Sequence, residues 1–275
     1  MIRNKTKTLI KGFALVAFMP LFAACSNEDD SPVQGGEPQE VQVSISTRAT
    51  TNGDEWIWQS GDQIGLSITG YNNIGNTTST LTYNGSAWTN NTFNITLPGT
   101  ITAWYPVGTG TSATSFTIPE NQTTSGNLCK ADFMTYSDEL INTTPSVTLE
   151  HRLNKVIVTI TDWSDYGSAM PTVTDFKIQT LKSITVSDNT VTGGGNTIGV
   201  SPYNNGNTYT AIVAPGAGFT ITLAVDTRSK TVTYSGTLES GNAYSFNLTL
   251  KDNELVLTPT GSLPGWGAEG QEQEI

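Results

Sequence analysis

Bond-breaking or group-transfer chemistry needs a nucleophile, a base or a metal held at short range, and this sequence supplies few of the parts. It contains one histidine, His151, in Glu150-His151-Arg152-Leu153, and two cysteines, Cys25 and Cys129. A Ser-His-Asp or Cys-His arrangement requires the imidazole beside its nucleophile. Nothing around His151 marks a nucleophile elbow, and its neighbours have the pattern of a strand, so His151 reads as structural. Zinc sites want several Cys or His ligands at short spacing, whereas the chain after residue 40 offers one of each. Gly193-Gly194-Gly195 lacks the Lys-Ser/Thr of a phosphate-binding loop and precedes no helical pattern. Asn52-Gly53-Asp54 and Asp188-Asn189 carry calcium-type oxygen ligands, but in generic turn settings. Paired carboxylates for glycoside cleavage meet only in space, and the carboxylates here lie mainly in turns and loops. No catalytic residue, metal or cofactor is expected, and the chain reads as non-enzymatic.

The cysteine with recognisable chemistry is Cys25. Arg3, Lys5, Lys7 and Lys11 form a basic start with no acidic residue before Cys25, and a short apolar run through Phe13-Ala14-Leu15-Val16-Ala17-Phe18-Met19 follows. That run falls short of the roughly 20 apolar residues of a membrane span and has the dimensions of a signal-peptide core. Leu21-Phe22-Ala23-Ala24-Cys25 resembles a lipobox, in which the thiol is diacylated and the peptide is cut just before it. Residues 1–24 are therefore expected to be a lipoprotein signal peptide. Residues 25–40, beginning Cys25-Ser26-Asn27-Glu28-Asp29-Asp30 and rich in Pro, Gly, Gln and Glu, are expected to be a flexible acidic tether. An acidic run directly after a lipidated cysteine also resembles a surface-export signal, which favours the outer membrane with surface exposure. Removing residues 1–24 takes away four basic side chains and no acidic ones, leaving 9 Lys+Arg against 24 Asp+Glu, a net charge of −15. So acidic a body argues against nucleic acid as a partner. With Cys129 alone beyond the tether, stability is expected from packing rather than from a disulfide.

The elements that would position these residues alternate apolar and polar side chains with period two, the mark of half-buried strands. Such runs occur at 41–47, 64–69, 81–83, 93–97, 101–105 and 116–118. Turn residues separate them at Ser60-Gly61-Asp62, Asn84-Gly85, Pro98-Gly99 and residues 108–110. Asn84-Gly85 predicts a hairpin with a type I′ turn. Residues 147–160 form the most apolar stretch of the first half. Further strands are expected at 176–178, 184–186, 209–213, 219–225, 231–234, 244–250 and 254–257, with hairpin tips at 189–196 and at Asn204-Asn205-Gly206. Pro259 and Pro264 are expected to interrupt any long strand beyond Leu257. No helix longer than about two turns is predicted. A domain boundary is expected near residues 162–172, giving units at 41–162 and 163–275. Of six tryptophans, Trp56, Trp58 and Trp104 sit among apolar residues, whereas Trp88, Trp163 and Trp266 lie near turns.

Several segments taken together resemble the fimbrillin family. They are Ser46-Thr47-Arg48-Ala49-Thr50 after the first alternating strand, Trp58-Gln59-Ser60-Gly61-Asp62-Gln63-Ile64-Gly65-Leu66, Ala103-Trp104-Tyr105-Pro106 and Ala131-Asp132-Phe133-Met134. Leu149-Glu150-His151-Arg152-Leu153-Asn154-Lys155-Val156, Ile212-Val213-Ala214-Pro215, Ser240-Gly241-Asn242-Ala243-Tyr244-Ser245-Phe246-Asn247-Leu248 and Trp266 complete the set. The resemblance implies an all-β fold of two tandem transthyretin-like (Greek-key) β-sandwich domains in a lipid-anchored fimbrial subunit.

It also implies a mechanism. In such subunits an arginine-specific protease cuts behind the first strand, the strand leaves, and a strand from another subunit fills the groove. In this sequence the cut would fall between Arg48 and Ala49, and the departing plug would be residues 41–47 with Val41, Val43 and Ile45 buried. The implied partners are other fimbrial subunits, the processing protease, the outer membrane through the lipid on Cys25, and host or bacterial surface glycans or proteins. One departure stands out: residues 267–275 carry a single large apolar side chain, which fits a tip or accessory subunit better than a repeating shaft subunit. The alternative reading is a monomeric surface glycan-binding lipoprotein of a nutrient-uptake system.

Overall fold

The structure, a computed structural model, describes residues 36–46, 58–108, 111–264 and 266. The first strands are β1 (Gln39–Gln42), β2 (Ser44–Ser46), β3 (Gln63–Thr69), β4 (Thr77–Tyr83), β5 (Trp88–Thr89), β6 (Thr92–Ile95), β7 (Gly99–Tyr105) and β8 (Ser115–Thr117). One short helix, α1 (Ser125–Ala131), precedes β9 (Met134–Leu140), β10 (Ser146–Thr148), β11 (Glu150–His151) and β12 (Asn154–Asp162). The remainder is β13 (Val173–Ser187), β14 (Thr190–Val200), β15 (Tyr203–Asn205), β16 (Thr208–Val213), β17 (Gly216–Val225), β18 (Arg228–Leu238), β19 (Asn242–Leu250) and β20 (Leu255–Pro264). The fold is all-β and sandwich-like, as the period-two alternation requires of strands that bury one face.

Two hydrophobic cores organise these strands. The first lies against the six-stranded sheet β11-β9-β7-β3-β4-β5, which contributes Ile64, Leu66, Ile68, Leu81, Ile101 and Tyr105. It is closed on its other side by Val41, Val43, Ile95 and Val147, carried by β1, β6 and β10 and the residue after β1. The second core fills the space between β15-β16-β12-β19-β20 and β14-β13-β17-β18, with β8 joined to β13. Residues Phe116, Leu128 and Phe133 from β8, α1 and the segment after it pack into this second core. Thr124 caps α1, its hydroxyl accepting from the Asn127 amide at 3.2 Å.

Core membership changes along the chain just before β12. β12 pairs in parallel with β19 and antiparallel with β16, so Val156, Val158 and Ile160 sit at the centre of the second core. The chain crosses from one core to the other between Leu149, in the first, and Leu153, in the second. Apolar density marks 147–160 as central but does not say to which sheet each part belongs.

Three local expectations differ from the structure. Asn84-Gly85 does lie in a hairpin, but Tyr83 faces Trp88, so the loop has four residues rather than two. Asn84 Oδ1 closes that loop by accepting from the Ser86 and Ala87 amides, and Gly85 alone takes the left-handed conformation (φ 98°). The type I′ geometry appears instead at Asp188-Asn189, between the paired residues Ser187 and Thr190, with φ of 48° and 60°. Gly193-Gly194-Gly195 is thus no hairpin tip: it lies inside β14, where the register shifts between Leu181 and Ser183 as Gly195 adopts φ 78°. Finally, β20 runs through Pro259 to Pro264. It is an edge strand, and the register slips beside Pro259, the two settings in which a strand tolerates a residue without an amide donor.

Candidate functional site

The candidate site is the slot occupied by β1 and β2. β6 hydrogen-bonds to β1 antiparallel, over Gln39↔Ile95 to Gln42↔Thr92. β10 hydrogen-bonds to β2 in parallel, over Ser146↔Ser44 to Thr148↔Ser46. Among the described residues, β6 has no other strand partner than β1, and β10 none other than β2. One eight-residue stretch of chain, Gln39 to Ser46, therefore stitches two receptor strands into the layer that closes the first core.

The switch of partner occurs at Val43. The Val43 amide donates to the Asn91 carbonyl at 2.8 Å and the Asn91 side-chain amide donates back to the Val43 carbonyl at 2.9 Å. On the other side, the Gln42 and Ser44 amides donate to the carbonyls of Thr143 (2.8 Å) and Pro145 (3.0 Å). The Ser44 hydroxyl also donates to Pro145, and Ser46 Oγ donates to the Val147 carbonyl and lies 2.8 Å from Thr148 Oγ1. The backbone is thereby satisfied while the strand changes partners, as a segment passing over a buried core must be.

Alternation decides what the strand buries. Val41 and Val43 have no solvent exposure, Ile45 packs half-buried against the same core, and Glu40, Gln42 and Ser44 face out. Burying the two valines contributes about 3–6 kcal/mol at ~1.5–3 kcal/mol each. Ladder hydrogen bonds to β6 and β10 add to this burial, so the segment is held by an ordinary, replaceable pattern of alternation and strand pairing. The strand begins at Gln39, two residues before the expected start at 41. Cys25, Arg48 and Ala49 lie outside the described residues.

Sequence reasoning singled out the apolar side chains of this strand but not its receptors. Asn91, Thr143 and Pro145 sit about fifty and a hundred residues away, in turns whose composition resembles any other. The fragmentary apolar signal at Phe93 and Val147 was visible, yet nothing local shows that both strands lean on residues 41–46.

A second cluster gathers His151 and the motif residues around the crossing between cores. Asp132 Oδ1 lies 2.7 Å from His151 Nδ1, and Asp132 is fully buried. The His151 ring stacks on Trp266 with centroids 3.8 Å apart, and the Trp266 indole donates to the Leu153 carbonyl at 3.3 Å. Arg152 Nε donates to Thr135 Oγ1 at 2.6 Å, and its Nη2 to Asn189 Oδ1 at 3.0 Å. Burial lowers the Arg152 pKa, while Glu150, 3.2 Å away, opposes that shift. The Ser240 hydroxyl donates to the Arg152 carbonyl rather than to the imidazole. This arrangement pins five separate segments together, at residues 132–135, 150–153, 189, 240 and 266, and no group of three or more potential metal ligands occurs among the described residues.

The five described tryptophans are all half-buried. Trp58 packs edge-on to Trp88 and Tyr105 beside the first core. Trp104, Trp163 and Trp266 pack against the second. They do not assemble into an exposed stacking platform.

Comparison with known proteins places this geometry. A family profile described as fimbrillin-like matches residues 47–266. No curated protein sequence matches. The fold is similar to that of a candidate cell adhesion protein of Bacteroides uniformis ATCC 8492, with a TM-score of 0.61 and 18% identity over 83% of this chain and 99% of that one. A candidate cell adhesion protein of Bacteroides ovatus ATCC 8483 matches with a TM-score of 0.56 and 16% identity, over 84% and 98% of the two chains. The tip fimbrial protein Mfa3 of Porphyromonas gingivalis, truncated at its C-terminus, matches with a TM-score of 0.53 and 9% identity, over 81% and 99%.

Proposed function

This chain belongs to the fimbrillin-like family, and we propose that it is a surface-anchored subunit of an adhesive fimbria, assembled by exchange of the strand at residues 41–46. In this reading Cys25 carries the lipid that holds the precursor at the outer membrane. A protease cut between Arg48 and Ala49 frees β1 and β2, and a strand from another subunit takes their place between β6 and β10. The chain has two sandwich domains, the first holding the exchange groove. The observation that carries the proposal is that β1 and β2 supply the strand pairing of both β6 and β10. Their loss would bare two sets of ladder groups and the apolar floor under Val41 and Val43, which is what makes a replacement strand favourable.

The test treats the purified full chain with a trypsin-like protease and sequences the new N-terminus. The expected product starts at Ala49 and, on gentle denaturation, loses the peptide bearing Val41 and Val43. It then binds a synthetic peptide of residues 39–47 that the uncut chain refuses. A resistant Arg48–Ala49 bond, or a cut chain that takes up no strand, rejects the reading. Mass spectrometry of the protein from cells then shows whether the precursor begins at an acylated Cys25.

A further inference from the structure

A cleft lies in a different part of the molecule, lined by residues that take no part in the plug. β13 and β17 are hydrogen-bonded from Val173↔Val225 to Gln179↔Thr220 and then part. The cleft, of about 660 Å³, opens where they separate, a volume within the ~300–1,000 Å³ of small-ligand sites. One wall is β13 with β14, presenting Gln179, Leu181 and Thr197; the other is β17 with β18, presenting Thr220, Thr233 and Ser235. We propose that this cleft binds a neutral oligosaccharide.

Charge is the first argument. None of the fifteen residues lining the cleft is Asp, Glu, Lys or Arg, although residues 25–275 carry a net charge of −15. A neutral lining gives an ionic ligand no counter-charge to offset its desolvation. The lining offers hydroxyls and an amide instead: Thr197, Thr233 and Ser235 are exposed and Gln179 is half-buried. These groups donate and accept in the way a polyhydroxylated ligand requires. Not every polar group is available. The Thr180 hydroxyl already accepts from the Ala214 amide at 2.9 Å, and the Thr220 and Thr233 hydroxyls lie 2.9 Å apart.

Shape is the second. A Cβ at Gly193 would collide with Leu181 Cδ1, so glycine at that position lets the leucine lie across β14. The same Cβ would stand 3.6 Å from the Pro215 carbonyl. Leu181 and Pro215 thus both line the cleft along with the hydroxyl-bearing residues, so the lining mixes apolar and polar groups, as the alternating C–H and O–H faces of a sugar ring demand. Gly193, the first of the glycine run that served no phosphate chemistry, is explained by this close approach.

The opposite wall argues against an extended peptide. Regular strand addition needs an even edge, but β17 enters the cleft through Gly216 (φ 125°) and Gly218 (φ 31°), with a register shift between Ala217 and Phe219. Its amides and carbonyls do not present a continuous ladder.

The experiment displays neutral and acidic oligosaccharides on one array, probes it with the full chain, and titrates the best binder calorimetrically. Expected is saturable binding to neutral oligosaccharides, weakened at least tenfold by Gln179→Ala and by Thr233→Glu and unchanged by Thr190→Glu at the far end of β14. Thermal melts of all three variants confirm folding. Absence of binding across the array, preference for acidic glycans, competition by extended peptides, or equal affinity in every variant overturns the proposal. The Arg48–Ala49 cleavage assay reads separately, so failure of one reading leaves the other measurable.

Discussion

Gly65 owes its identity to a neighbour rather than to its own backbone. It faces Trp104 across the β3–β7 ladder, and a Cβ there would fall inside the indole ring, with Trp104 Cδ2 at 2.7 Å. Gly65→Ala must therefore displace a ring that packs against the second core, and about 1–3 kcal/mol of stability is expected to be lost. Urea unfolding checks this, and a neutral result would mean that the ring swings away freely. Cys129 allows a prediction of another kind. Burial, with Asp132 as the next cause, pushes its thiol from 9.0 up to about 11. Because the folded state holds the proton more tightly than the unfolded chain does, the stabilising contribution is complete below pH 9.0 and is lost as pH rises through about 11. In a Cys25→Ser background, native-state iodoacetamide labelling is expected to climb until near pH 11 and to be at least tenfold slower at pH 8.5 than in urea. A plateau near pH 9 would deny the burial. At this scale the sequence is legible in part. The strand around His151 shows in its neighbours, but its partner Asp132 stands nineteen residues away, and no local pattern joins Ala131-Asp132-Phe133-Met134 to Trp266.

Elements were readable wherever one face of a strand is buried, because alternation records that face directly. Val41, Val43 and Ile45 could be picked out for this reason. What alternation omits is the partner: nothing in residues 41–46 states that the first half pairs antiparallel and the second half parallel with strands about fifty and a hundred residues on. Proline and glycine misled for a related reason. Pro259 breaks a central strand but not an edge strand at a bulge, and three glycines mark a turn or a bulge with equal force. The pairing has a measurable consequence. Val43→Ala deletes two fully buried methyl groups and is expected to cost about 1.5–3 kcal/mol. Its effect should be confined: amide exchange in β6 and β10 rises together, while β13 and β17 stay protected. Faster exchange in β6 alone would show that the two receptor strands are not coupled through the plug.

At the scale of the molecule, two cores share one chain and meet around the crossing from Leu149 to Leu153. The second core is closed by two sheets of five strands each. The first is closed on one side by six strands and on the other by short strands that depend on β1 and β2. Stability is therefore unevenly distributed, and the part with the least backbone pairing is the part proposed to be exchanged, as local unfolding at a working element requires. A double substitution, Val41→Asp with Val43→Asp, places two carboxylates over the first core, where neither can ionise without a large desolvation cost. The expected result is loss of protection in β3, β4, β6, β7 and β10 and a red-shifted emission from Trp58 and Trp88. Trp163 and Trp266, packed on the second core, should keep their native environment until a higher urea concentration. Single-tryptophan variants would resolve the two transitions. One cooperative transition reported by all the tryptophans would mean instead that Trp104, which reaches from β7 onto the second core, welds the two into one unit. In that case release of the plug would cost the whole molecule its fold, and strand exchange could proceed only with the replacement strand already engaged.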